Sequence, residues 1–450
     1  MHQRIDTALR SLRQDISGHL QADWVLEACR EVGHRFRVCT LDPVAIFHWF
    51  MTQVLQGNTA LRHVSLLAGR AFTDAAYCQA RARLPLAVFE AVLRKVAHAL
   101  KSQTETDGRW RGHRVLFVDG SAASTPDVPA LQEAFGQPSN QAKGCGFPVM
   151  RFLALFHFGT GMLLQIVSAS LRTHDLRMMR DAHDALEPGD VLVGDRGFCS
   201  YAHLAMLAKR GIHGVFRVHQ KQIVDFTPHR KHAESGDKNA AKGLPRSRWL
   251  KCLGPDDQLV EWYKPKECPD WCDPETFAAL PESLTVRELR YQVARPGFRT
   301  TSVTLVTTLC DEEAYPRESL AELYAARWGV EVNLRHLKQT MKMDVFKCKS
   351  EDGILKELHI YGLIYNLVRL VMCEAAERQG ACVDRISFID AYRWLASAKP
   401  GEEPPVLVVN PKRPCRVEPR VRKRRPKQFP LMKRPREELR KRLLAPACPD

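Results

Sequence analysis

The sequence predicts an α/β protein, and three observations carry that prediction. Apolar residues recur at helical spacing as far as about residue 105. Near Gly112 the period changes to two, and short apolar runs then alternate with helical stretches. Two of those runs lead straight into an aspartate followed closely by glycine, Asp119-Gly120 and Asp195-Arg196-Gly197. At 450 residues the chain is too long for one ordinary core, so two or three domains are expected.

In the front part, helices are expected over Trp24 to Val32, Val44 to Leu55 and Val88 to Leu100. Ala60 to Leu67, a turn at Gly69-Arg70, and Thr73 to Leu84 read as a helix-turn-helix pair. Thr73 can cap its second helix, and Gln79, Arg81 and Arg83 would be offered to phosphates or base edges. Two helices joined at a glycine also occur in any helical bundle. Arg114 to Asp119 is the first strand. Val149 to Phe158 and Met162 to Ser168 form a hairpin about Gly159-Thr160-Gly161, and His174 to Leu186 is a helix stopped by Pro188-Gly189. Asp190 to Gly194 is a strand, Ser200 to Arg210 a helix and Ile212 to Val218 a strand.

From His219 the helical period disappears, and four alternating runs with Pro and Gly between them predict a β-rich insert: Trp249 to Leu253, Leu259 to Tyr263, Leu284 to Val293 and Thr300 to Leu309. A helix then starts after Pro316, and another runs from Leu355 to Glu377. Ile360 to Met372 is the most apolar stretch of the chain. Tyr361, Tyr365, Asn366 and Arg369 interrupt it, so a buried helix is expected there and no membrane span.

The net charge of +16 has one main source. Residues 411–442 hold fifteen Lys or Arg against three Glu, with prolines at 414, 419, 426, 430 and 435. Prolines this frequent forbid one continuous helix, so the segment is expected to be extended and solvated until a polyanion, most commonly nucleic acid, orders it. Fourteen scattered cysteines without a regular framework, and no N-terminal apolar signal core, fit a reducing cytoplasmic compartment. Cys268 and Cys272, with Cys252 upstream, lack the second pair that a zinc knuckle needs.

The helix after Pro316 brings chemistry. At about 100° per residue, Tyr324, Arg327, Glu331 and Lys338 fall within roughly 60° of one another. Leu323, Ala326, Val330, Leu334, Leu337 and Met341 make a neighbouring apolar stripe. Taken alone, such a face is a solvated one with an Arg327–Glu331 ion pair. It means more if other carboxylates can meet it. Phosphoryl transfer on nucleic acid takes two divalent metals roughly 4 Å apart, held by carboxylates from separate rigid elements. Carboxylates suit Mg²⁺ because it is a hard ion that keeps water in its shell. Asp119 and Asp195 at strand ends, with Glu331 on a helix packed beside them, have the order and context for such a site.

With these residues in place, the chain resembles a bacterial DDE transposase of the insertion-sequence-four family. That family's signature of Tyr, two residues, Arg, three residues, Glu, six residues, Lys stands here as Tyr324, Arg327, Glu331 and Lys338. Val118-Asp119-Gly120-Ser121, with Pro126-Asp127 and Phe135-Gly136 downstream, is similar to the family's first-acid region, and Gly194-Asp195-Arg196-Gly197-Phe198 to its second. Arg425-Pro426-Lys427 and the run Phe429 to Arg436 are similar to its basic ending, so the likeness spans about residues 60–442.

The resemblance implies a ribonuclease-H-like catalytic core, residues 106–218 and 310–396, split by a β-strand insertion at 219–309. A helical DNA-binding domain, 1–105, would precede it, and a Pro-rich basic tail, 397–450, would follow. It implies two Mg²⁺ ions on Asp119, Asp195 and Glu331, with Mn²⁺ as a substitute, and Tyr324, Arg327 and Lys338 gripping phosphates beside the scissile bond. Arg81, Arg83, Arg422, Lys423, Arg424, Arg425 and Lys427 are further candidate DNA contacts. The implied partners are double-stranded DNA, as terminal inverted repeats and target, and a second copy in a homodimeric synaptic complex. The implied location is the bacterial cytoplasm, at the nucleoid, with no membrane. Some relatives hold a flipped base with a Trp of the insert; Trp249, Trp262 and Trp271 are present, and no motif selects among them. A metal-dependent, structure-selective nuclease and a domesticated, non-catalytic DNA-binding protein remain as alternatives.

Overall fold

The computed structural model describes residues 22–99, 109–139, 141–142, 144–233, 243–293, 302–397, 405–408 and 432–444. One mixed nine-stranded sheet runs through it: β1 (Val115–Ser124), β2 (Val149–His157), β3 (Leu163–Ala169), β4 (Val191–Gly194), β5 (His213–Arg217), β6 (Arg248–Gly254), β7 (Asp257–Tyr263), β8 (Ser283–Gln292) and β9 (Ser302–Thr307). The strand order is β3-β2-β1-β4-β5-β9-β8-β7-β6. β1, β4 and β5 are parallel neighbours, and every other pairing is antiparallel.

Five helices form the front part: α1 (Ala22–Glu31), α2 (Pro43–Leu55), α3 (Leu61–Leu67), α4 (Asp74–Arg83) and α5 (Leu86–Ala99). Two of the starts have a side-chain cap. Asp42 accepts from Ala45 N ahead of Pro43 in α2, and Thr73, as the sequence predicts, accepts from Ala76 N in α4. The α3–α4 turn carries positive φ at Gly69 and Arg70, and Val64, Phe72 and Tyr77 pack into a small core of their own between the two helices.

Beyond β1 come α6 (Pro129–Phe135), α7 (Asp175–Ala182), α8 (Tyr201–Lys209) and α9 (Pro274–Ala278). Then follow α10 (Arg317–Ala326), α11 (Trp328–Arg335), α12 (Glu351–Arg378), α13 (Phe388–Ser397) and α14 (Arg436–Leu444). One face of the sheet packs on α7 and α8 through Leu116, Val118, Leu176, Met179, Leu204 and Leu207. The opposite face shares a continuous core with α1, α2, α5, α10, α11 and α12, including Phe47, Phe89, Phe117, Val193, Leu320 and Tyr361. Three polar residues of α12 bond the β2–β3 hairpin. Asn366 pairs with both backbone groups of Leu163 at 2.7 and 2.8 Å, Tyr365 donates to Gly161 O at 2.8 Å, and Arg369 donates to Thr160 O. Among the described residues no helix is long and apolar enough to cross a membrane.

Four expectations are corrected. β1 does not end on Asp119 but continues to Ser124, because β2 pairs along its whole length. The β-rich insert contains one short helix, α9, capped by Asp273. The helix expected from Tyr324 to Lys338 is interrupted at Arg327, between α10 and α11, and finishes as a π-turn over His336–Thr340. The segment 411–442 is not extended at its end, where α14 forms, while residues 411–431 lie outside the described residues. Leu407 is buried and pairs with Ser387 and Gln379, while α14 rests on the core by an Arg436–Asp127 ion pair of 2.6 Å and a cation–π contact of Arg436 with Phe147.

Candidate active site

Parallel pairing puts the first two acids side by side. Val115, Leu116 and Phe117 of β1 lie opposite Val191, Leu192 and Val193 of β4; carried two residues on, that register sets Asp195 beside Asp119. Side chains alternate along a strand, so Asp119 shares the face of Val115 and Phe117, and Asp195 that of Val191 and Val193. This is the face covered by α10 and α11.

Glycines fix how the carboxylates sit. Gly120 N donates to Asp119 Oδ1 at 2.9 Å, and Gly197 N donates to Asp195 Oδ1 at 2.8 Å, so each acid has one oxygen tied to backbone. A Cβ on Gly194 would stand 2.9 Å from Val118 Cγ1 and 3.0 Å from the Phe198 ring, so any larger residue there must displace the packing just before Asp195.

The third acid arrives through an arginine. Arg327 Nη1 lies 3.6 Å from Asp119 Oδ2, and Arg327 Nη2 donates to Glu331 Oε1 at 3.3 Å. The Arg327 guanidinium also lies 5.8 Å from the centre of the Tyr324 ring, which is buried. Burial, with the charges of Asp195 and Glu331, pushes the Asp119 carboxyl up to about 6, against the opposing pull of Arg327 and the Gly120 N–H. Burial works against the charge of Arg327, yet Tyr324, Asp119, Glu331 and Asp195 together raise its pKa. Lys338, on the π-turn, donates to Ser121 Oγ at 3.0 Å, two residues beyond Asp119 on the same face of β1. Burial lowers the Lys338 pKa, with Asp344 pulling the other way.

Asp119, Asp195, Glu331, Tyr324, Arg327 and Lys338 thus gather at one place. Sequence reasoning missed two neighbours. Ser121 was signalled by its two-residue spacing from Asp119, and Arg217, at the end of β5, acts electrostatically on Tyr324. Arg81 does not extend outward from the helix-turn-helix pair. Its guanidinium lies 4.0 Å over Phe50 and bonds Gln53 Oε1 and Cys348 Sγ, each at 2.9 Å, whereas Arg83 is exposed. Arg422, Lys423, Arg424, Arg425 and Lys427 lie outside the described residues. In the insert, Trp262 and Trp271 are buried, and Trp249 packs 4.2 Å from the ring of His229.

Among the described residues no three His, Cys, Asp or Glu side chains form a ready metal cage. Arg327 stands between Asp119 and Glu331, and the donor set otherwise suits a hard divalent cation: carboxylates only, crowded enough to hold one of them at about 6.

The protein is a DNA strand-cleaving and strand-transferring enzyme. More particularly, the chain belongs to the transposase DDE domain family, whose model matches residues 110–367. Transposase InsG for insertion sequence element IS4 of Escherichia coli (strain K12) is 25% identical over 375 residues, 79% of this chain and 77% of that one. Putative transposase InsZ of the same organism is 26% identical over 199 residues, 43% of this chain and 67% of that one. Among solved structures, a piggyBac transposase synaptic complex with hairpin DNA aligns with a TM-score of 0.42 at 12% identity, over 86% of this chain and 79% of that one. The kinship with insertion-sequence-four DDE transposases expected from the sequence is borne out.

Proposed function

We propose that this DNA transposase binds the terminal inverted repeats of its own insertion sequence and cleaves and transfers their strands at Asp119, Asp195 and Glu331. What supports this is the β1–β4 register that brings two aspartates together on the face bearing Glu331. In this reading β1 to β5 with α6 to α8 and, after the insertion, α10 to α13 form the ribonuclease-H-like core, β6 to β9 its insertion and α1 to α5 its DNA-binding front, with a second copy completing the synaptic complex. The three acids would hold two Mg²⁺, for which Mn²⁺ can substitute. When bound, the ions supply the positive charge that in-line phosphoryl transfer needs at its attacking and leaving oxygens. The remaining work belongs to the chain. The Gly120 and Gly197 N–H groups hold Asp119 and Asp195 in fixed orientation. Arg327 can fork a phosphate, Tyr324 supports it from beneath, and Lys338 sets a point charge beside β1.

Single-turnover nicking of an end duplex with Mg²⁺ tests the reading. Asp119→Ala, Asp195→Ala and Glu331→Ala should each abolish nicking while end binding survives, since affinity comes mainly from cations elsewhere. Nicking retained within a few-fold in any one variant removes that residue from the site.

A further inference from the structure

We propose that Arg327 is the resident counter-ion of the acidic site, that divalent metal must displace it to load, and that a DNA phosphate eases this by drawing the arginine away. DNA and metal would then bind cooperatively, and the enzyme away from DNA would stay metal-poor. The inference rests on the reading of the three acids as metal ligands.

Its basis is the position of one guanidinium. Arg327 spans Asp119 Oδ2 at 3.6 Å and Glu331 Oε1 at 3.3 Å, so it stands where a cation shared by these two acids would have to sit. Two cations cannot occupy that gap together. Both contacts are long for charge-assisted bonds, whereas a phosphate can take both arms of an arginine at about 2.8 Å. The present pairing is therefore one that a phosphate can outcompete.

The backbone allows the exchange. Arg327 belongs to neither α10 nor α11, and around it the chain bonds three residues apart: Arg327 N to Tyr324 O at 3.1 Å and Val330 N to Arg327 O at 2.9 Å. A break of this kind is a hinge on which one side chain can swing while the apolar faces of both helices, Leu323 and Val330, stay buried. Glu331, with its side chain 43% exposed, is free to turn toward Asp119 once the arginine leaves. Phosphate would take the arginine and metal the carboxylates, so each breaks the same contact and, by thermodynamic reciprocity, each strengthens the binding of the other.

The test measures Mn²⁺ binding to the full chain by loss of the free-ion electron paramagnetic resonance signal, with a duplex-only blank. In wild type, an end duplex should tighten Mn²⁺ binding about tenfold. Arg327→Gln should bind Mn²⁺ that tightly without DNA, and DNA should add nothing further. Binding by Arg327→Gln no tighter than DNA-free wild type overturns the proposal. Asp119→Asn separates the two layers: if Mn²⁺ binding with DNA survives that change, the assignment of the acids fails and not the coupling. A second measurement needs no variant. Mn²⁺ alone, at concentrations that saturate DNA-free wild type, should speed phenylglyoxal modification of Arg327, read by peptide mass spectrometry, and end duplex should suppress it. A modification rate indifferent to Mn²⁺ also overturns the proposal.

Discussion

A single methyl group on Gly194 would meet Val118 Cγ1 at 2.9 Å, Phe198 at 3.0 Å and Phe216 at 3.2 Å, all inside a packed core. Gly194→Ala should therefore cost about 1–3 kcal/mol in denaturant melts and also move Asp195, the next residue. Gly197→Ala differs, because its Cβ would press on Asp195 Oδ1 at 3.0 Å. It should lower nicking far more than stability, and equal losses in both measurements would show that the placement of Asp195 beside Gly197 does not govern cleavage. Two buried, stacked histidines set a pH dependence. Burial holds His183 at about 3 and His203 at about 4, below the ordinary 6.5. The unfolded chain thus takes up protons that the folded chain refuses, so this stability is whole above pH 6.5 and drains as pH falls toward 4. The loss approaches about 1.4 kcal/mol per pH unit for each histidine. Melts of His183→Gln/His203→Gln should show a flatter profile in that window. At this scale Asp119 and Asp195 were legible because each closes an apolar run beside a glycine. The inward turn of Arg81 was not, since it depends on Phe50 and on Cys348, which lies 267 residues further along.

Elements were legible where periodicity alone decides them, as for α8, where Ser200 caps an apolar helix, or for the β2–β3 hairpin. The break between α10 and α11 was not, because position 327 carries neither proline nor glycine and both sides keep helical spacing. Nor could the use of Asn366 and Arg369 be read, since their partners are backbone atoms of a distant hairpin. The joint between the front helices and the core is of the same kind. Fully buried Glu357 of α12 accepts from Asn58 Nδ2 at 2.5 Å, after α2, and from the backbone N–H groups of Lys347 and Cys348. Glu357→Ala would strand these donors, and a loss of about 2–4 kcal/mol is expected. Hydrogen exchange should locate the damage: amides near Asn58 and near 345–350 should lose protection before those of β1 and β4. Uniform loss across the sheet would mean that Glu357 supports the whole core and not this joint.

On the scale of the whole molecule, one sheet joins what the sequence divides. The β-rich insert is continuous with β1 to β5 because β9 pairs with β5, a partner choice that alternation along a strand does not encode. The charge also works at this scale. Residues 411–442 carry fifteen of the Lys and Arg residues, and α14 at the end of that stretch is fastened to the core by Arg436 on Asp127. The charge of this stretch should act as a sequence-independent clamp that gains from counterion release and reads no bases. Deletion from Pro411 onward should lower affinity for end and scrambled duplexes by similar factors. If only three of the fifteen meet phosphates, the slope of log affinity against log salt should flatten by about 3 units for both. The preference for the end should remain, because base reading is expected from the front helices, where Gln79 and Arg83 are exposed on α4. Isotherms at several salt concentrations on the two duplexes decide between these roles. An unchanged slope would show that the tail does not touch DNA. A lost preference would move the reading of the end from the front helices to the tail, since the deletion removes only residues 411–450.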